Sequence, residues 1–296
     1  MFKPSTTTLL SLKGLPKIGN VKALTISKYL NKDFESSEEF FKSFNVISKQ
    51  KIKLPEISKT SFDIAYDAAN REIDKCQQMG VKIINYYDDQ YPNEFRIINN
   101  PPTLLFSMGN LPLLKSKKKI AIIGARDSSD YAKDISYKVS EKLASNGVTI
   151  VSGLALGCDE NAHRGSLEKG TTISILPSGL KNIYPKANQE LANQILNKNG
   201  CLITEYTLES KPNKAFFIER NRLQSGISES IILIESKING GSMKTIEFAR
   251  KQGKKIYCWN HHFRFKDPEK TSGNLKLLND RDIKSLSRKE DLEVFY

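Results

Sequence analysis

The feature that most constrains this fold is an alternation, after Lys119, of short apolar runs with amphipathic segments. The runs lack polar alternation, which is typical of parallel strands covered on both faces. They are Ile120–Ile123, Val148–Val151, Thr171–Leu176, Cys201–Thr204, Ile231–Ile234 and Ile256–Trp259. The segments between them space their apolar residues as helices do, as in the stretch from Tyr131 to Leu143. This alternation predicts an α/β fold, with a doubly wound, mostly parallel, Rossmann-like sheet and right-handed crossovers.

Residues 1–80 show a different pattern, which predicts a small helical domain ahead of the sheet. Leu9–Leu30 is interrupted at Gly14–Gly19, which predicts two helices joined by a turn. The turn resembles a helix-hairpin-helix or SAM-like module that offers N–H groups to DNA phosphates, and a plain packing turn is the alternative. Thr60–Met79 predicts a longer amphipathic helix that ends at Gly80. We expect domains at 1–80 and 81–262, followed by a tail at 263–296 without a full winged helix.

The charge of the chain favours a polyanionic partner. There are 46 Lys and Arg against 33 Asp and Glu, a formal net charge of +13. The excess is concentrated, because Lys211–Lys270 carries 13 basic and six acidic residues. Such a patch attracts nucleic acid and binds it by releasing counterions. A generally Lys-rich composition without a binding role is the alternative.

Several classes of protein are not indicated. No apolar run approaches the roughly 18 residues that a membrane span requires, and the N-terminus lacks the apolar core of a signal peptide. We therefore expect a cytoplasmic protein without membrane association. The Cys and His residues are too scattered for disulfides or a metal site, and the cysteines are expected to be buried. They are Cys76, Cys158, Cys201, Cys258, His163, His261 and His262.

Small residues follow the predicted strands. In an open parallel sheet, ligands bind outside the carboxyl ends of the strands. The turns at those positions are Gly124–Arg126, Ser152–Gly157, Pro177–Gly179 and Gly240–Ser242. Small side chains let an anionic ligand approach the backbone, and the helix N-termini that follow supply N–H donors. The pattern predicts a phosphate-binding cleft, although glycines also occur in tight turns that bind nothing.

Familiar nucleotide and acid–base chemistry is not indicated either. The turn after the first strand has one glycine where the dinucleotide fingerprint has three, and no P-loop lysine motif is present, so we expect no cofactor. Asp159 and His163 lie four residues apart and could be mistaken for an acid–base pair. We interpret Asp159 as a helix N-cap anchored by His163, because no nucleophile with a partner is evident nearby.

Five sequence blocks resemble, in order and spacing, the DNA-processing protein DprA (Smf) family. They are IIGAR, IVSGLALGCDENAHRGSLEKGTTISILPSGLKNIYPKANQEL, LITEY, AFFIERNRLQSGIS and GGSMKTIEFARKQGKKIYC, and the resemblance covers roughly Gly80–Cys258. It implies a Rossmann-like fold, a homodimer, and binding of single-stranded DNA that is passed to the RecA recombinase in natural transformation or recombination. It implies no reaction, so we expect a DNA-binding competence protein and not an enzyme.

The resemblance also assigns candidate DNA-binding residues. Arg126 matches an arginine that holds a phosphate, Lys186 matches a basic position at a helix start, and Phe217 belongs to a segment that combines a ring with arginines. A ring beside guanidinium groups suits unpaired DNA, because bases stack on the ring and cations follow the backbone. The candidates are Gly124, Arg126, Ser152, Gly153, Lys186, Phe217, Arg220, Asn221, Arg222, Gly240, Gly241 and Ser242.

The chain departs from the family pattern at Ala125, where the family has serine, and at Ile218, where it usually has proline. Cys258–Asn260 replaces a Val-Pro-Gly, and the role of the tail is left open. Apolar residues beyond the need of one covered helix face are consistent with a dimer, although packing on the sheet alone would explain them as well. They are Leu223, Ile227, Met243, Ile246 and Phe248.

Two other functions are compatible with the same fold. One is a nucleotide phosphoribohydrolase-like enzyme, whose Pro-Gly-Gly-x-Gly-Thr-x-x-Glu signature is matched here only in part by Asn239–Glu247. The other is a sensor of nucleic acid or of a nucleotide in defence, which the unusual tail and the changes at Ala125 and Ile218 favour.

Overall fold

The computed structural model describes residues 2–296, which form two compact units that meet in sequence between Ser107 and Met108. The boundary differs from the sequence-based division at residue 80. The reason is that the strand after Gly80 contacts the first and fourth helices and therefore belongs to the N-terminal unit. Among the described residues, no helix combines the length and the apolar character needed to cross a membrane.

The N-terminal unit is helical up to Gln78. Its elements are α1 (Thr6–Gly14), α2 (Asn20–Ser27), α3 (Ser37–Gln50), α4 (Lys59–Gln78), β1 (Lys82–Asn85), α5 (Asn93–Arg96) and β2 (Leu104–Gly109), the last of which crosses the boundary. β1 and β2 pair antiparallel. The predicted helix pair and the break at Gly14–Gly19 are confirmed. The long helix is confirmed as well, and it ends before Gly80, a residue with a left-handed φ of 67°. Nothing in the hairpin tests its proposed contact with DNA, which stays a prediction.

The C-terminal unit is built on seven parallel strands. They are β3 (Lys119–Ile123), β4 (Thr149–Ser152), β5 (Thr172–Ile175), β6 (Cys201–Thr204), β7 (Ser230–Leu233), β8 (Lys255–Trp259) and β9 (Ile283–Leu286). Their order is β6-β5-β4-β3-β7-β8-β9. The six strands predicted from apolar runs are confirmed to within one residue at each end. The parallel strand order confirms the Rossmann-like fold as well. The strands are continuous apolar runs because both faces of the sheet are buried.

Six helices cover this sheet, and the strand order changes direction at β3. The helices are α6 (Asp130–Ala144), α7 (Cys158–Lys169), α8 (Gln189–Asn197), α9 (Lys214–Ile227), α10 (Gly241–Lys251) and α11 (Ser272–Leu278). Strands β4 to β6 extend the sheet to one side of β3, and β7 to β9 extend it to the other. The carboxyl ends of β3 and β7 therefore form the topological switch point, where such sheets bind their ligands.

The segment after Trp259 contributes a strand to the sheet and is not a separate tail, which corrects the expectation for residues 263–296. β9 pairs in parallel with β8. Leu292 and Phe295 pack into the same core cluster as Trp259. β9 was missed because its two central residues, Lys284 and Ser285, are polar and exposed, so it has no continuous apolar run.

Other residues singled out from the sequence have clear places. The four cysteines are buried free thiols, as expected. Of the five residues invoked for a dimer, Leu223, Ile227 and Ile246 are buried within the chain itself, and Met243 and Phe248 are half-buried. The apolar character of α9 and α10 is therefore explained largely by their packing on each other and on the sheet.

Candidate nucleic-acid interface

A cavity of about 490 Å³ lies at the switch point between β3 and β7. Its wall is formed by the turn after β3, the turn after β7, the N-terminal half of α9 and the start of α10. It brings together eight of the twelve residues predicted from the sequence. They are Gly124, Arg126, Phe217, Arg220, Asn221, Gly240, Gly241 and Ser242.

At the mouth of this cavity an arginine lies over an aromatic ring. The guanidinium carbon of Arg126 is 4.3 Å from the ring centroid of Phe217. Arg126 is exposed and Phe217 is half-buried. Tyr184 meets the same ring edge-on at 5.5 Å between centroids and is itself exposed. A second cavity of about 50 Å³ lies between these side chains, so the cation and both rings share an open cleft.

The position of Phe217 follows from the start of α9. Asn213 caps this helix by accepting a hydrogen bond from the backbone N–H of Phe216 at 3.0 Å. Residues three apart on a helix share a face, so Phe217 and Arg220 both point into the cavity. The neighbouring Phe216 turns away and stacks on Tyr206, with centroids 3.8 Å apart.

The loop that carries Arg126 is held from both sides. The N–H of Ala125 donates to the backbone oxygen of Glu235 at 2.8 Å, and the Ser242 hydroxyl donates to the Gly124 oxygen at 2.6 Å. The buried Glu235 carboxylate accepts from the Ser129 N–H at 2.8 Å and from its hydroxyl at 2.6 Å. These bonds fix the loop to β7 and to the start of α10.

Two of the predicted glycines are explained by packing. A Cβ on Gly124 would meet the Cys158 sulfur at 2.3 Å. A Cβ on Gly153 would lie 1.4 Å from Nη1 of Arg220. Side chains already occupy the space beside these backbones, so close approach by a ligand is not needed to account for either glycine.

Arg220 forms the buried side of the cavity. It is 4% exposed, and its Nη1 donates to the backbone oxygen of Ile175 at 3.0 Å. Burial lowers its pKa to about 10, against the attraction of Asp159, so it keeps its charge at neutral pH. Burial likewise raises the pKa of the Asp159 carboxyl, and the positive charge of Arg220 opposes this rise.

Arg222 lies outside the cavity. Its guanidinium pairs with both oxygens of Glu205, at 2.5 and 2.7 Å, and also donates to the Glu219 backbone oxygen. The side chains of Arg222 and Glu205 are 4% and 5% exposed. The arginine thus forms a buried, bidentate ion pair.

The remaining candidates do not line the main cavity. The Ser152 hydroxyl is buried and donates to the Ile122 oxygen at 2.7 Å. Gly153 lines only the smaller cleft. Lys186 is exposed and directly follows Pro185, which also lines that cleft.

The interpretation of Asp159 and His163 needs correction in its details. Gly157, with a φ of 79°, is the N-cap residue of α7, and Asp159 lies in the first turn facing Arg220. His163 is fully buried, and its Nδ1 lies 2.8 Å from the Thr172 hydroxyl, not beside Asp159. Burial, together with the nearby positive charge of Arg220, lowers the pKa of His163 to about 3. Both residues therefore have structural partners.

Sequence reasoning missed two cations that line the cavity, Lys237 and Lys244. Lys237 pairs with Glu269, and Lys244 lies 2.9 Å from Glu247. Both belong to the basic stretch Lys211–Lys270, so the local charge excess was the available signal. No group of three or more potential metal ligands occurs within residues 2–296.

Comparison with known proteins identifies the family. The family model for DNA recombination-mediator protein A matches residues 82–295. The chain belongs to this family. The match includes β9 and the residues that follow it, and so extends beyond the range recognised from the motifs. DNA processing protein DprA of Bacillus subtilis is 33% identical over 213 residues, which are 72% of this chain and 71% of that protein. Protein Smf of Borreliella burgdorferi is 31% identical over 256 residues, 85% of this chain and 76% of its own.

Two solved structures of family members are similar to this one. DNA processing protein A from Streptococcus pneumoniae has a TM-score of 0.71 at 27% identity, over 95% of this chain and 99% of its own. DNA processing protein A from Helicobacter pylori has a TM-score of 0.64 at 30% identity, over 72% of this chain and 94% of its own. The structure of the Helicobacter pylori protein concerns its single-stranded DNA binding mode.

Proposed function

We propose that this chain binds single-stranded DNA along the carboxyl edge of its parallel sheet. The observation that carries the proposal is the pairing of Arg126 with Phe217, in which an exposed cation lies over a half-buried ring. This pair stands at the mouth of a cavity that Lys237 and Lys244 also line. The Helicobacter pylori relative, with its single-stranded DNA binding mode, supports the same assignment.

Each part of the edge has a role in this proposal. An unpaired base stacks on Phe217 or on Tyr184, and the Arg126 guanidinium binds the adjoining phosphate. The N-terminus of α10, which begins at Gly241, offers unsatisfied N–H groups to a phosphate inside the cavity. A duplex keeps its bases stacked on each other, so it can use the cations but not the rings. Preference for single strands therefore comes from the rings.

The cellular role that we propose is that of a recombination mediator. The chain would load the RecA recombinase on the bound strand in DNA uptake or recombination, and it would act in the cytoplasm without catalysing a reaction. Two copies joined as a homodimer would hold two strand segments, which raises the apparent affinity through effective concentration. Family membership supports this role, and a strand-exchange assay with RecA tests the loading step.

The binding proposal is tested by measuring affinity for a single strand and for a duplex of the same length at about 0.15 M salt. At this concentration, interactions between exposed charges more than about 8 Å apart are largely screened. We expect the single strand to bind more tightly, and the double variant Arg126→Ala/Lys186→Ala to lose most of this binding with little change in thermal stability. Equal binding to both forms would contradict the proposal.

The matched control is Lys251→Ala/Lys255→Ala. It removes the same charge from exposed residues at the end of α10 and the start of β8, at the opposite edge of the sheet. We expect it to bind nearly as well as the wild type. An equal loss in the two double variants would mean that overall charge, and not the carboxyl edge, holds the DNA.

A nucleotide sensor is the second candidate, because the cavity has a volume that suits one nucleotide. Thermal shifts with mononucleotides but not with oligonucleotides would favour it. The phosphoribohydrolase reading is less well supported, since Glu247 does not line the cavity and pairs with Lys244 on the exposed side of α10. Release of a free base from nucleoside monophosphates would favour the phosphoribohydrolase function.

A further inference from the structure

The segment that follows β8 exposes two aromatic rings between positive charges. Phe263 is 75% exposed and Phe265 is 53% exposed. Arg264 and Lys266 alternate with them in sequence. Large apolar side chains on a surface are commonly placed to meet a partner when they cluster. This cluster, His261–Lys266, does not line the cavity at the switch point.

The rings are ordered into a ladder. Phe265 stacks on Tyr131 with centroids 4.5 Å apart and planes 8° from parallel. The ring of His262 lies 4.3 Å from that of Phe263, and the Arg264 guanidinium carbon lies 5.7 Å from the Phe263 centroid. Within residues 2–296, neither Arg264 nor Lys266 has a carboxylate at ion-pair distance. The segment thus offers exposed rings and unneutralised cations side by side.

The segment is also anchored next to the cavity. His261 is buried, and its Nε2 lies 2.8 Å from the Ile234 oxygen at the end of β7. Further along, Lys270 lies 3.5 Å from Asp127 in the Arg126 loop, and the Gly273 N–H donates to the Ser236 oxygen at 2.8 Å. Asp127 and Ser236 both line the cavity.

The spacing of the sheet places this segment within reach of the same strand of DNA. β8 is separated from β3 only by β7. Neighbouring strands lie about 4.8 Å apart, so the ends of β3 and β8 are roughly 10 Å apart. Arg126 follows β3, and His261 follows β8, on the same carboxyl edge of the parallel sheet.

We propose that His261–Lys266 is a second base-stacking platform, which continues the track of single-stranded DNA from Phe217 across the ends of β7 and β8. The proposal rests on the proposed function and extends it. Bases stack on Phe263, and Arg264 and Lys266 bind the phosphates on either side. The two free cations favour a polyanion over an apolar protein partner, because burying unpaired charges against protein costs free energy.

The direct test replaces Phe263 by tryptophan, which reports stacking by its fluorescence. The chain has a single tryptophan, Trp259, and it is buried, so the wild type provides the background signal. We expect saturating 20-nucleotide oligo(dT) to quench the emission of Phe263→Trp beyond any change in the wild type. An unchanged emission at saturation would overturn the platform.

The affinity test uses Phe263→Ala with the same oligonucleotide. Loss of one stacked base is worth about 5- to 150-fold in affinity. The matched control is Val294→Ala, which truncates another exposed apolar side chain, 59% exposed, in the residues after β9. We expect a loss only for Phe263→Ala.

The outcomes separate the platform from the function on which it rests. If the wild type binds oligo(dT) through Arg126 and Phe217 but Phe263→Ala binds equally well, the platform fails alone. If the wild type binds no single strand, both proposals fail. If Phe263→Ala lowers the mass in light scattering without weakening binding, the segment is an interface between copies and the platform is wrong.

Discussion

The carboxyl edge of the sheet and the interior behind it use arginine in opposite ways. At the edge, Arg126 is exposed and covers the Phe217 ring. In the interior, Arg220 bonds the Ile175 oxygen beside Asp159, and Arg222 is paired with Glu205. The Arg222 guanidinium already donates to Glu205 and to the Glu219 backbone oxygen, so it has few donors left for a ligand. The exposed and the buried arginines of a basic motif therefore have to be distinguished before its charges are assigned to DNA.

Helical geometry explains how neighbouring residues of one motif reach different environments. Phe217 and Arg220 are three residues apart on α9 and share the face toward the cavity. Arg222 is five residues from Phe217, a rotation of about 140° at 3.6 residues per turn. That rotation carries Arg222 away from the cavity and toward Glu205.

The largest effect is expected when the interior ion pair is broken. Replacing Arg222 by methionine removes the bidentate partner of the buried Glu205 carboxylate, which costs about 3–5 kcal/mol of the free energy of unfolding. Urea unfolding followed by circular dichroism measures this loss. If Arg222 instead served DNA from an exposed position, stability would hardly change.

The control for this variant removes both charges. In Arg222→Met/Glu205→Leu no charge is left unpaired, so most of the lost stability should return. Failure of the second substitution to restore stability would show that packing, and not the ion pair, explains the first result.

A second effect is expected from acid, through His163. Because its pKa is held near 3 in the folded chain by burial and by Arg220, the folded state binds fewer protons than the unfolded state between about pH 3 and 6.5. The free energy of unfolding therefore falls as the pH is lowered through this window, by about 1.4 kcal/mol per unit, or about 3 kcal/mol at pH 4.

His163→Gln should flatten this part of the stability profile, measured as urea midpoints from pH 7 to pH 4. His262→Gln is the matched control, because His262 is exposed and should leave the slope as it is in the wild type. Equal slopes in wild type and His163→Gln would mean that burial does not keep the His163 imidazole unprotonated in the folded chain.

The fold was largely predictable, and the reason is visible in particular elements. β3 to β8 are covered on both faces, so each reads as a continuous apolar run. β9 escaped because Lys284 and Ser285 face solvent. The boundary near residue 107 could not be found either, since the contact of β1 with the helices depends on tertiary packing.

The location of the site was predictable, but which of its charged side chains are paired inside the protein was not. Small residues after β3 and β7 mark the switch point, and eight candidates meet there. The sequence could not tell that Arg222 would find Glu205, because a pair separated by 17 residues has no local signature. It also could not reveal that Gly153 leaves space for Arg220.

The most direct test of the account is the salt dependence of single-stranded DNA binding in two variants. Each phosphate contact contributes about 0.7 to the slope of the logarithm of affinity against the logarithm of salt concentration. Arg126→Ala is expected to reduce the slope by about this amount, whereas Arg222→Met/Glu205→Leu leaves it unchanged. A reduced slope in Arg222→Met/Glu205→Leu, together with an unchanged slope in Arg126→Ala, would contradict the claim that the exposed Arg126 binds phosphate and the buried Arg222 does not.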